Sequence, residues 1–330
     1  MSHDQRRRSV IALCALFPLA LQPHSAQAQP GRRPVRVGVL SAGAMPDVEA
    51  RNAVVSQALR EFGWVEGRDV VFELRAAGSD PARLAAVARE LVNSKVDALL
   101  TASTPAALAA KAATQSIPVV FTMVSDPVES GVVASLARPG GNLTGWSNVL
   151  PETSRKLLEV LREIVPALGS AAVLYDANNP GKLLDLKEIQ RVAQGIGIRP
   201  VGLRSQKDIA AAFTALARER IDGLLVLQDA VTFPHREEIV QLAAKHRMPA
   251  AYQIREYVKV GGLVSYGLNV NGQSQRTAAI LDRVLRGARP ADLPVELPTH
   301  FELAVNLKTA RALGLKIPPS IQVRADWVVQ

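Results

Sequence analysis

Cysteine is almost absent: the chain of 330 residues has a single one, Cys14, inside an apolar run near the start. Past that run there can be no disulfide, no thiolate metal site and no cysteine nucleophile. Histidine is nearly as sparse. Beyond residue 28 only His235, His246 and His300 occur, too far apart for any metal-ligand spacing, and no metal is expected. No segment approaches the roughly 20 apolar residues that a membrane-spanning helix needs. A phosphate-binding Gly-rich loop, a G-x-G-x-x-G after a strand and a G-x-S-x-G elbow are all missing. Nothing therefore nominates catalytic residues or a cofactor, and the chain is expected not to be an enzyme. Aromatics are 4% of residues, and the apolar mass of Ala, Val and Leu suits buried strands under Ala-rich helices rather than an all-β sandwich.

Acidic residues are outnumbered, 30 against 39 Lys and Arg, for a net charge of +9. The excess is spread over helix faces beside acids, as in 82–95, and forms no aromatic-studded stripe. A solvated surface follows, and no nucleic-acid partner is expected.

What is present begins with an address. Arg6 to Arg8, the apolar run Val10 to Leu21 and Ala26-Gln27-Ala28 have the order of a secretory signal peptide, residues 1–28, cleaved near Ala28. Arg7-Arg8-Ser-Val-Ile leaves general secretion and twin-arginine export both open. The mature protein is expected in the periplasm.

From Val35 onward short β-branched runs alternate with helix-period segments. Strands are expected at Val35 to Leu40, Val70 to Arg75, Val96 to Leu100 and Pro118 to Val124, with helices at Asn52 to Phe62, Pro81 to Lys95 and from Thr104. Asp126-Pro127 reads as the start of another helix, reaching Leu136. A turn-rich stretch, Arg138 to Ser147, interrupts the rhythm, which restarts with a helix from Thr153. Further strands are expected at Ala171 to Tyr175, Arg199 to Leu203, Gly223 to Leu227, Ala250 to Ile254 and Leu263 to Tyr266. The fold class is α/β: two Rossmann-like lobes of parallel sheet flanked by helices and joined by a hinge. The expected lobes are residues 35–146 with about 273–298, and 147–272 with about 299–330.

Ligands of parallel sheets sit beyond the carboxyl ends of the strands, where helix N-termini also point. That rule selects Ser41, Ser103, Thr104, Ser125, Asp126, Asn178, Asn179 and Asp229, with Gln228, Gln253 and Arg255 at further strand ends. Thr104-Pro105 and Asp126-Pro127 serve equally well as plain helix starts. Asp126 and Asp229 are the carboxylates best placed to meet an ammonium group, and Asp229 is preferred because no proline-opened helix explains it. Tyr175, Tyr252, Tyr266 and Trp146 gather at the same ends.

Several ordered motifs carry a resemblance. They are Phe62-Gly-Trp-Val-Glu-Gly-Arg68, Thr104-Pro-Ala106, Ser125-Asp-Pro-Val128, Pro139-Gly-Gly-Asn-Leu-Thr-Gly145, Ala288-Arg-Pro-Ala-Asp-Leu-Pro-Val295 and Phe301-Glu-Leu-Ala-Val-Asn-Leu-Lys-Thr-Ala310. Over residues 35 to 318 the chain resembles ABC-transporter substrate-binding proteins of the family with tryptophan- and phenylalanine-binding members. The resemblance implies a type I periplasmic-binding fold that closes on a small-molecule solute and hands it to an ABC permease in the inner membrane. It places Ser103, Thr104, Ser125 and Asp126 in first-lobe ligand loops. Trp146 and Ser147 fall at the first crossing, Asn178 and Asn179 in a second-lobe loop, and Asp229 at that lobe's acidic position. Better-known members read Asp-Asn where this chain has Asp229-Ala230. A monomer is expected; a sensor subunit for a membrane receptor is the alternative from another class, and an enzyme the third.

Overall fold

Alternating strand-period and helix-period segments fold as their periods dictate, because each strand run buries both faces only when helices cover the sheet on either side. The computed structural model describes residues 33–149, 151–269 and 272–330; the expected signal peptide lies outside them. The first series is β1 (Val35–Ser41), α1 (Met45–Arg60), β2 (Val70–Ala76), α2 (Pro81–Asn93), β3 (Ala98–Ala102), α3 (Thr104–Ala113), β4 (Val119–Ser125) and β5 (Leu143–Val149). Its five strands make one parallel sheet, ordered β2-β1-β3-β4-β5.

A second series follows: α4 (Pro151–Ile164), β6 (Ser170–Asp176), α5 (Pro180–Val192), β7 (Gly197–Leu203), α6 (Lys207–Glu219), β8 (Gly223–Val226), α7 (Arg236–Lys245), β9 (Ala250–Tyr252), α8 (Arg255–Lys259) and β10 (Val264–Leu268). Helix α9 (Gln273–Leu285) then returns to the first sheet, where Ala278, Leu281 and Val284 pack with Val37, Val55 and Leu100. The chain comes back through β11 (Phe301–Asn306), α10 (Leu307–Leu313), α11 (Pro319–Arg324) and β12 (Trp327–Val329). The second sheet is ordered β12-β11-β10-β9-β8-β6-β7.

Each sheet carries a core on both faces. On the first, Leu40, Leu99 and Phe121 pack with Leu84 and Ala107, while Val39 and Leu100 pack with α1 and α9. On the second, Val173 and Leu225 meet Leu157 and Ile189, and Leu174 and Leu224 meet Phe213 and Ile239. Asp80 caps α2 as its sequence suggests, accepting from the N–H groups of Ala82 and Arg83 at 2.9 and 3.3 Å.

Four local expectations are corrected. Helix α1 starts at Met45, not Asn52, because Pro46 needs no N–H in the first turn. No helix follows Asp126-Pro127. Asp126 sits at φ +36°, its carboxylate accepts from the N–H groups of Val128 and Glu129, and Gly131 at φ +74° turns the chain again. The stretch expected as turns contains β5 from Leu143, where Gly145 lets the strand approach β4 so closely that a Cβ would run into the Phe121 carbonyl. Finally, β10 and β11 are antiparallel, from Val264 opposite Val305 to Leu268 opposite Phe301. No crossover helix joins them, since the chain visits the first sheet in between.

Candidate functional site

A cavity of about 310 Å³ lies between the carboxyl ends of the two sheets, lined from one side by Ser41, Ser103 and Met123 and from the other by Asn179, Lys182 and Asp229. A second cavity of about 210 Å³ adjoins it through Arg51, Met123, Gln228 and Phe233, and adds Gln253, Tyr266 and Gln273. Volumes of this order suit a small molecule of amino-acid or monosaccharide size.

The first-sheet wall follows from the β–turn–helix geometry. Ser41 ends β1, and its Oγ accepts from the Gly43 N–H at 3.1 Å. Ser103 precedes α3 at φ +86°, with its Oγ buried and without a partner among the described residues. Such a hydroxyl, beside the free N–H groups of a helix start, is equipped to hold an anionic or polar group. Arg51, half-buried on α1, makes no hydrogen bond or close ion pair among the described residues. Burial lowers its pKa below the ordinary guanidinium value, and Asp47 one turn earlier partly offsets this.

The opposite wall is a buried charge cluster. Asn179 caps α5 by accepting from the Gly181 N–H at 2.9 Å and donates from Nδ2 to Asp229 at 2.5 Å. The other oxygen of Asp229 accepts from the Ala230 N–H at 2.5 Å, and the Asp229 N–H donates to Thr232. Lys182 is 2% exposed and donates to Asp185 at 2.9 Å. Burial raises the pKa of Asp185 and Asp229, with Lys182 pulling both down. Burial and then the neighbouring Asp229 raise Asp176 to about 7.

That shift has a measurable sign. Folded protein keeps a proton on Asp176 that the unfolded chain releases near pH 4, so the stabilisation is complete below about pH 4 and is lost as the pH rises to about 7. Relative to Asp176→Asn, the empty wild-type protein should lose stability through that window, by up to about 4 kcal/mol. Thermal unfolding of both proteins from pH 4 to 8 checks this, and parallel curves would show that Asp176 titrates normally.

The structure brings together Ser41, Ser103, Asn179, Asp229 and Tyr266 at these cavities. Trp146 lines a smaller chamber behind them and donates from Nε1 to Thr277 at 3.0 Å. The other expected residues stand elsewhere. Tyr252 is 1% exposed and stacks on Tyr257 in the second sheet's core, because its place in β9 turns it to the face opposite the cleft. Asp126 holds its own turn. Ser147 donates to the Val124 carbonyl as part of the β4–β5 seam.

Thr104, Ser125 and Asn178 meet the opposing lobe directly. Thr104 Oγ1 accepts from the Ser125 N–H, and a Cβ at Gly181 would lie 2.6 Å from Thr104 Oγ1 and 2.9 Å from Ser125 Cβ. Asn178 Nδ2 donates to the Ser79 carbonyl at 3.3 Å. The sequence reading passed over Arg51, Met123, Lys182, Phe233 and Gln273. Of these only Lys182 carried a signal: a lysine in the first turn of a helix opposes the helix dipole and needs a carboxylate to explain it.

Among the described residues no helix is long and apolar enough to cross a membrane, and no group of three or more His, Cys, Asp or Glu side chains could hold a metal ion. The sequence profile of a family described as ABC transporter substrate binding protein matches residues 36–329. A tyrosine-binding protein of Clostridioides difficile is 26% identical over 282 residues, 85% of this chain and 81% of that protein. The structure of an ABC domain from Streptococcus pneumonia in complex with L-Trp superposes with a TM-score of 0.81 at 25% identity, covering 90% of this chain and all of that one (100%). A ligand-free, open substrate binding protein from Clostridium difficile, 24% identical over 90% of this chain and 99% of that chain, gives a TM-score of 0.62.

Proposed function

The chain belongs to the ABC transporter substrate-binding protein family, and from that premise we propose that it is the periplasmic solute-binding subunit of an ABC importer, closing on an amino-acid-like solute and passing it to an inner-membrane permease. In this reading residues 35–149 with about 273–298 form one lobe and 151–269 with about 299–330 the other, the chain crossing between them near Val149, Leu268 and Phe301.

The observation that carries the reading is the opposition of charge across the cleft. Arg51 and Ser103 face it from one side and the Asp229 cluster from the other, a spacing of cation and anion sites that suits a zwitterion. Arg51 and Ser103 take the solute's carboxylate, and Asp229 its ammonium, in a poorly hydrated space where charge-assisted hydrogen bonds are strong. The tyrosine-binding relative and the relative solved with L-Trp support the solute class.

Closure is supported by the contact at Gly181, where the start of α5 seats on Thr104 and Ser125 with no room for a β-carbon. Ligand-bound and empty proteins then differ in how the lobes sit, as differential contact requires. Mass spectrometry of solute released from denatured, freshly purified protein identifies the ligand, and scattering with and without it should show a smaller radius of gyration when bound. Gly181→Val should keep the melting temperature of the empty protein, weaken binding at least about tenfold and abolish the compaction. Wild-type scattering unchanged at saturating solute would sink closure, and release of no amino-acid-like molecule, with none binding in calorimetry, would sink the solute class.

A further inference from the structure

Strand β4 breaks its own alternation just before the cleft. Phe121 and Val124 pack in the same core, with Leu84 and Ala107, although residues three apart on a regular strand point to opposite faces. The register against β5 shifts between them, and Met123 takes up the odd residue with its backbone at φ +57°. A long L side chain is strained in that left-handed region, where glycine would sit freely. Strain of this kind persists where the surroundings over-determine it, and it concentrates at binding sites.

The bulge sets Met123 where the cleft narrows. Among the described residues Arg51, Met123, Gln228 and Phe233 line both the 310 Å³ cavity and the 210 Å³ cavity. Met123 and Phe233 are the apolar pair of the four, one from the first sheet and one from the segment that follows β8 in the second. Phe233 is held in place: its N–H donates to the Asp229 carbonyl at 2.9 Å, the Arg236 guanidinium lies 4.8 Å from its ring centroid, and Tyr257 meets it edge-on at 6.4 Å. Met123 is the softer partner, since an unbranched thioether adapts to what it touches.

We infer that Met123 is a specificity-determining residue that, with Phe233, grips an apolar segment of the solute where it passes from one cavity into the other. The inference rests on the amino-acid-like reading of the cleft, in which Arg51, Ser103 and Asp229 hold a zwitterionic head in the larger cavity. A head alone leaves the neck between the cavities unfilled. The solute class is therefore a zwitterionic head followed by a narrow apolar stretch long enough to reach the second cavity. The jaws come from different sheets, so the grip favours the bound arrangement of the two.

L-Norleucine and L-alanine share the head and differ by three methylenes; hexan-1-ol carries the chain without the head. Calorimetry on the purified protein should show L-norleucine bound at least about tenfold tighter than L-alanine, each buried methylene being worth about fourfold. With the methionine ε-methyl carbons labelled, L-norleucine and hexan-1-ol should each move the NMR signal of Met123, while the signal of Met248 in the core stays in place. Met123→Ala should cut the preference for L-norleucine at least about threefold and leave the affinity for L-alanine unchanged. In the empty protein Met123→Gly should melt no lower than Met123→Ala, against the usual order in a strand, because glycine releases the strain. Equal binding of the two amino acids, a preference that Met123→Ala leaves intact, a Met123 signal that neither L-norleucine nor hexan-1-ol moves, or Met123→Gly melting below Met123→Ala overturns the inference. If hexan-1-ol moves the Met123 signal and neither amino acid binds, the neck stands and the amino-acid reading of the cleft falls.

Discussion

Asp229→Asn is expected to cut affinity for an amino-acid-like solute by thirtyfold to several thousandfold and to leave the empty protein as stable as before. The affinity follows from removing one charge of a desolvated pair, which typically costs about 2 to 5 kcal/mol. The stability follows from the surroundings of the carboxylate. Asp229 is 6% exposed, and burial already raises its pKa, so its ionised form is held at a cost that an amide does not incur. Its contacts with Asn179 and Ala230 fix the side chain; asparagine keeps the shape and one acceptor but turns its amide N–H toward a donor, a loss that removal of the buried charge offsets. Calorimetric titration of both proteins against the identified solute, beside their melting curves, separates the two effects. An affinity change under about threefold, or a collapse in melting temperature without solute, makes Asp229 a structural residue.

Lys182→Met should have the largest effect on stability, about 3 to 5 kcal/mol lost at neutral pH. Lys182 and Asp185 are 2% exposed each, and the ammonium also acts on Asp176 and Asp229. Without it three buried carboxylates face one another with no cation in the cluster. For a domain of this size each kcal/mol moves the melting temperature by about 2 to 4 °C, so a drop of roughly 6 to 20 °C is expected in scanning calorimetry. The loss should shrink toward pH 4, where the carboxylates take up protons whose binding burial favours. Pairing the substitution with Asp185→Leu should restore most of the stability, since replacing both members of a buried pair by apolar residues is often neutral. A drop below about 1 kcal/mol would mean that cleft water, not Asp185, carries the charge of Lys182.

Local chemistry explains which parts of the architecture could be read in advance. Asp80 is legible as a cap because a side-chain oxygen two or three residues ahead of a helical N–H acts within one turn of chain. Asp126 shows the limit of the same signal. Asp-Pro reads as a helix start there too, yet Gly131 and the Pro139-Gly140 turn end the segment before a helical turn can propagate. β5 stayed hidden because its glycine, read as a turn signal, serves instead to let two strands meet.

The site divides along the same line. Strand periodicity and the family motifs by themselves determined a two-lobe α/β chain and its strand ends, and of the residues expected there the structure sets Ser41, Ser103, Asn179, Asp229 and Tyr266 against the cavities. Only the tertiary structure decided between neighbours. Ser103 and Thr104 are adjacent, but one faces the cleft and the other the opposing lobe. Tyr252 and Tyr266 both end strands, but one enters the core and the other lines the cavity. Strands covered by helices on both faces are apolar throughout, so alternation along them does not tell which face is which. Arg51 and Lys182 come from α1 and α5, and the cavity and charge cluster exist only once these helices and the two sheets are packed.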